Sequence, residues 1–192
     1  MMKRGDCLRA LARHIGDGDI VLPVYSTAFD WLDIRPHALN YLAHGAMGLG
    51  SSHALGLAFG RPDKRVIVLD GDGSLLMNLG SLVTVANAAP PNFVHIVFEN
   101  GTYEANGSHP IPGEGKVDFS GLAKAAGYRS VHTFDDLAAL QREAQAILRA
   151  QGPVFVTLKI DPGTPPHLDY GTMHGQPIRD AFKAALAADA PG

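Results

Sequence analysis

The sequence predicts an α/β domain built on a mainly parallel sheet with helices on both faces. Three observations carry this. Short apolar runs at 20–24, 65–70, 93–98, 128–132 and 154–160 alternate with segments of helical spacing. Those runs are continuously apolar rather than alternating, as strands covered on both faces are. Turn residues separate nearly every pair of elements.

The elements follow in order. Residues 6–15 place Leu8, Leu11, Ala12 and Ile15 at helical spacing, with Asp6 as cap and Gly16 as stop. Residues 20–24 are the first strand, and 27–34 a short helix closed by Pro36. Residues 46–59 read as a buried helix with small side chains on every face. RVIVLD (65–70) is rich in β-branched residues and reads as a strand, followed by a helix over 74–88 that Pro90-Pro91 ends. FVHIVF (93–98) is a second buried strand. Residues 101–115 hold four glycines and two prolines and read as a loop. A helix over 118–126 is closed by Gly127, a strand follows at 128–132, an amphipathic helix at 135–150 and a strand at 154–160. Residues 163–177 read as irregular, before a last helix at 178–188. No internal repeat or domain boundary is visible, so residues 1–192 are expected to form one domain with a C-terminal tail at 161–192.

Composition narrows the function. With 46% hydrophobic and 18% charged residues the chain is of globular type. Sixteen basic against nineteen acidic residues give a net charge of −3, which opposes a nucleic-acid or anionic-membrane surface. A single cysteine, Cys7, excludes an internal disulfide or a multi-cysteine iron–sulfur site. The N-terminus lacks an apolar signal region, and the most apolar stretch, 46–59, is too short and Gly/Ser-rich for a membrane span. A cytoplasmic location is the expectation. Glycine is in excess, 22 of 192 residues, and marks places where backbone approaches something closely.

The chemistry lies at two strand ends, where open parallel sheets bind ligands. The first is Gly71-Asp72-Gly73-Ser74, running straight into a helix. The glycines leave room above the backbone, and a helix start offers unpaired N–H groups to a phosphate. An acid beside a phosphate seat calls for a cation between them, so Asp72 points to a hard divalent metal. The second is Glu99-Asn100-Gly101-Thr102-Tyr103, at the end of the next strand. Asn100 offers an amide oxygen and Thr102 a main-chain carbonyl, an all-oxygen set that suits magnesium. Taken alone, GDGS fits many helix-capping turns. Other phosphate motifs fail: Gly48-x-Gly50 is followed by His53 where a dinucleotide fingerprint has glycine, and an EF-hand start at Asp70 is broken by Leu75 and Ser81.

GDG, then 25 residues (74–98), then an Asn-containing turn resembles the thiamine diphosphate signature. GDGSLLMNLGS (71–81) and GAMGLGSSHALGL (45–57) resemble the diphosphate-binding, beta-type subunit of sulfopyruvate and phosphonopyruvate decarboxylases, over about residues 22–160. The resemblance implies a thiamine diphosphate-binding fold, with Asp72, Asn100 and the Thr102 carbonyl as magnesium ligands. It places Gly71, Gly73, Ser74 and Tyr103 at the diphosphate, joined by Ser26 and Thr27, although Ala28 stands where glycine is common. Met47 falls where a large apolar side chain bends the cofactor, with the Gly45 carbonyl and Met47 N–H on the pyrimidine. Decarboxylation of a small 2-oxo acid to an aldehyde follows, with cofactor and Mg2+ as the working groups. An acetolactate-type carboligase and a non-catalytic metal–diphosphate module are the rivals.

The family's catalytic glutamate comes from a separate pyrimidine-binding domain. The chain's four glutamates, Glu99, Glu104, Glu114 and Glu143, have no such context. An alpha-type partner subunit is therefore expected, with self-association as well, and the length of the chain leaves room for the diphosphate half only. Glu99 departs from the usual Asn or Asp, Ser81 from a common glutamate, and His44 from an apolar residue. His109, in the glycine-rich loop, is the histidine candidate for a proton or an anionic substrate, and Lys116 a weaker one. His53, His95 and Cys7 read as structural.

Overall fold

A computed structural model of the chain describes residues 1–42, 47–164, 170–173 and 175–188. Its centre is a five-stranded parallel sheet in the order β1-β2-β3-β7-β6. The strands are β1 (Ile20–Pro23), β2 (Val66–Gly71), β3 (Phe93–Glu99), β6 (Ser130–Phe134) and β7 (Val154–Lys159). Helices α1 (Arg4–Ala12), α2 (Ser26–Ile34) and α7 (Leu137–Arg149) contribute to the core on one face. Helices α3 (Gly50–Gly60), α5 (Gly80–Ala88) and α6 (Phe119–Ala126) contribute on the other, where Phe182 of α9 (Gln176–Ala188) joins them. The strand side chains divide by the pleat: Ile67 and Leu69 enter the first core, Val66 and Val68 the second. Each such buried side chain contributes about 1.5–3 kcal/mol. Two helices carry acidic N-caps. Asp118 accepts from the Gly121 N–H and Asp136 from the Ala139 N–H, both at 2.8 Å.

Five departures from the sequence reading stand out. Helix α1 starts at Arg4 rather than Asp6, and Asp6 pairs with Arg9 at 2.7 Å instead of capping. The helix read at 74–88 is two, α4 (Asp72–Leu76) and α5, with Asn78 and Gly80, poor helix formers, at the break. The loop at 101–115 holds an antiparallel ribbon, β4 (Thr102–Tyr103) with β5 (His109–Pro110), around a 3-10 turn at Glu104–Asn106. Strand β6 begins two residues late, because Gly127 turns the chain at φ +107° and Tyr128 goes into the core. In the tail, a short helix α8 (Tyr170–Met173) lies within the stretch read as irregular. No helix among the described residues is long and apolar enough to cross a membrane.

Candidate active site

Pairing in register brings the two chemistry-bearing turns together: Asp70 lies beside Val97 and Gly71 beside Phe98. Beyond those strand ends opens a narrow cleft. It is lined by the expected Ser26, Thr27, Met47, Gly71, Asp72 and Gly73, together with Ser74, Asn100, Thr102 and Tyr103.

Asp72 is its centre. The carboxylate is 2% exposed and, among the described residues, is held by backbone N–H groups alone. Oδ2 accepts from the N–H groups of Asn100 at 2.9 Å and Gly101 at 2.7 Å, and Oδ1 from its neighbour Gly73 at 2.7 Å. Burial pushes its pKa up to about 6, against the pull of those three N–H donors, with Glu99 adding a little. Gly101 makes the turn possible at φ +74°, a conformation open to glycine. Asn100 Oδ1 accepts from the Thr102 N–H at 2.8 Å, closing an Asx-type turn that fixes its amide at the cleft wall.

The strand end before Asp72 is braced from behind. Asp70 Oδ1 accepts from the Gly71 N–H at 2.9 Å, and Oδ2 meets His95 Nε2 at 3.2 Å. His95 Nδ1 meets the Tyr128 hydroxyl at 3.3 Å. All three side chains are buried, so His95 is structural, as the sequence implies.

Glycines let the walls close up. A methyl on Gly73 would lie 2.5 Å from Tyr103 Cε1, so the Tyr103 ring rests directly on that backbone. Gly48 adopts φ +81°, and a methyl there would lie 2.8 Å from Met77 Cβ. Its N–H donates to Ser74 Oγ at 3.1 Å, which ties the Met47 turn to the Asp72 segment. Met47 is half-buried at the cleft wall. Gly45 and His44 lie outside the described residues.

Other expectations fall elsewhere. His109 sits exposed on β5, paired with Tyr103 across the ribbon, and does not line the cleft. Lys116 and Glu99 line a second groove with Asp118 and Lys159, beyond the ends of β3 and β7. Cys7 is fully buried, and burial pushes its thiol up to about 12, so it is a core residue.

Three cleft residues with polar side chains escaped the sequence reading. Tyr25 lines the cleft at φ +48°, a strained setting for a non-glycine residue just before α2. Arg4 and Glu104 line it as a buried ion pair. Arg4 Nε also donates to Asp30 Oδ2 at 2.6 Å. Burial alone would lower the Arg4 pKa, but Glu104 and Asp30 outweigh it and hold the guanidinium above its ordinary value. No local signature announces a pair separated by 100 positions.

The residues fit a cation-bridged diphosphate. A buried carboxylate without a side-chain cation, an amide oxygen and open glycine backbone share one cleft, and a methyl on Gly71 would meet nothing within 4 Å. Among the described residues no three His, Cys, Asp or Glu side chains cluster as a metal site, so such a cation would draw on amide and carbonyl oxygens as well.

Comparison with known proteins agrees with this geometry. Residues 22–158 match the model of the thiamine pyrophosphate enzyme C-terminal TPP binding domain. The chain is 42% identical over 156 residues to phosphonopyruvate decarboxylase of Streptomyces viridochromogenes, covering 81% of this chain and 39% of that protein. It thus spans about two fifths of that relative. It is 31% identical over 163 residues to sulfopyruvate decarboxylase subunit beta of Methanothermobacter thermautotrophicus, covering 85% of this chain and 84% of that one. The crystal structure of benzoylformate decarboxylase from Polynucleobacter necessarius shares the fold, with a TM-score of 0.73 at 19% identity over 85% of this chain and 34% of that one. The chain belongs to the thiamine pyrophosphate enzymes, as a carrier of their C-terminal, cofactor-binding domain.

Proposed function

We propose that this chain is the diphosphate-binding, beta-type part of a cytoplasmic 2-oxoacid decarboxylase acting on a sulfonate- or phosphonate-bearing pyruvate, with residues 1–192 as one domain. The observation that carries the reading is the buried Asp72 carboxylate, set between the β2 and β3 turns with N–H groups as its partners among the described residues. Asp72, Asn100 and the Thr102 carbonyl hold Mg2+. Gly71, Gly73, Ser74, Tyr103, Ser26 and Thr27 seat the diphosphate. Met47 would pack against the bound cofactor, with the Gly45 carbonyl and Met47 N–H serving its pyrimidine. When bound, thiamine diphosphate supplies the nucleophile for the keto carbon and the sink for the electron pair that carbon dioxide leaves.

The pyrimidine-side glutamate comes from an alpha-type partner. Glu104 is the glutamate in the cleft lining, and it is tied to Arg4 and, at 2.7 Å, to the Gly163 N–H. Glu99 faces the second groove, Glu114 lies against Gly101, and Glu143 is exposed on α7. The name of the methanogen relative, a beta subunit, supports the same division.

The test uses the chain and the subunit that co-purifies with it, supplied with Mg2+, thiamine diphosphate and sulfopyruvate, phosphonopyruvate or pyruvate. Carbon dioxide and an aldehyde are expected only when both subunits are present. A ketol product would move the reading to carboligation, and steady turnover by the single chain would overturn the partner requirement.

A further inference from the structure

We propose that Arg4 is a positioning residue for the cofactor-binding turn: from the first helix it grips Glu104 and so fixes the segment that carries Thr102 and Tyr103. This inference rests on the functional reading above.

Arg4 stands in the first turn of α1 and is 9% exposed, and Glu104 is 3% exposed. Arg4 Nη1 donates to Glu104 Oε2, and Nε to Asp30 Oδ2 on α2. The other Glu104 oxygen accepts from the Gly163 N–H, in the chain that follows β7. One ionic unit thus joins α1, α2, the ribbon turn and the segment beyond the sheet. Guanidinium geometry suits this, because a planar fork reaches two carboxylates in fixed directions where an ammonium is a single point.

Stability alone is a poor reason for such a unit. Taking both charges out of water is costly, and an apolar pair of similar volume is often as stable or more so. What the ion pair adds is a fixed place for Glu104. That residue follows Tyr103 directly, and the Tyr103 ring lies on Gly73, next to Asp72. A shift of Glu104 therefore moves both the Thr102 carbonyl and the ring. Arg4 does not serve as an anion hook, since its charge faces two carboxylates within the protein.

The experiment compares wild type, Arg4→Lys and the double variant Arg4→Met/Glu104→Met as full chains. Thermal unfolding without ligand is followed, and Mg2+ is titrated calorimetrically at fixed thiamine diphosphate. The double variant leaves no unpaired charge at Glu104, so it should unfold at or near the wild-type midpoint. Its Mg2+ affinity should nonetheless fall roughly 10–100-fold, the usual cost of losing an outer partner of a metal site. Arg4→Lys should lie between. Wild-type Mg2+ affinity in a folded double variant overturns the proposal. If the double variant does not fold, wild-type affinity in Arg4→Lys overturns it equally. A wild-type chain that takes up no Mg2+ with thiamine diphosphate sinks the functional reading and this inference together, whereas unchanged variants beside a binding wild type sink this inference alone.

Discussion

Asp72 and Glu104 line the same cleft and are 2% and 3% exposed, yet they are satisfied in opposite ways. Among the described residues Asp72 has three backbone N–H donors and no side-chain cation, and burial raises its pKa to about 6. Glu104 has a guanidinium and one N–H. A carboxylate held only by neutral donors keeps its demand for a positive charge and is available to an incoming cation. A carboxylate already paired within the protein is committed to geometry. On the proposed reading, ligand binding falls to the β2–α4 turn and its placement to the ribbon turn, two segments that meet at Gly73 and Tyr103.

The largest effect that would break this contrast is on folding. Arg4→Met leaves Glu104 buried without its cation and should cost about 3–5 kcal/mol in denaturant unfolding. A loss under 1 kcal/mol, on the scale of an exposed pair, would mean that Glu104 is not committed as described. Next, Asp72→Ala should weaken Mg2+-dependent cofactor binding more than ~100-fold, or about 2.7 kcal/mol. Third, Gly48→Ala forces a positive φ on alanine and a methyl 2.8 Å from Met77 Cβ. It should destabilise by ~1–3 kcal/mol, and the strained turn should also loosen the Ser74 contact next to Asp72. The smallest effect tests the brace behind Asp72. Tyr128→Phe removes one partner of His95 and should cost ~0.5–1.5 kcal/mol, with Mg2+ affinity unchanged.

The Asp72 side of this comparison was largely legible in the sequence and the Glu104 side was not. Runs such as RVIVLD and FVHIVF announce buried parallel strands by composition, and their order along the chain makes them neighbours. GDG and the Asn100 turn then fall together because each ends one of those strands. Arg4, by contrast, sits before the residue read as the helix cap, and its partner lies 100 positions away. Only the folded chain, with α1 packed over the sheet, brings them together. Tyr25 was hidden for a different reason: positive φ is signalled by glycine, and a tyrosine gives no such sign. The break between α4 and α5, by contrast, had its sign in the sequence, since Asn78 and Gly80 are poor helix formers inside an otherwise apolar run. His109 was read as a loop residue near the active-site mouth, but it lies on β5, where the ribbon pairs it with Tyr103 outside the cleft lining.

The central claim is that the Asp72 cleft takes a cation-bridged diphosphate. Calorimetric titration of thiamine diphosphate into the full chain, with Mg2+ and again with excess chelator, tests it most directly. Binding that requires Mg2+ and disappears in both chelator and Asp72→Ala is the predicted result. Equal affinity with and without the cation, or in Asp72→Ala, would contradict it.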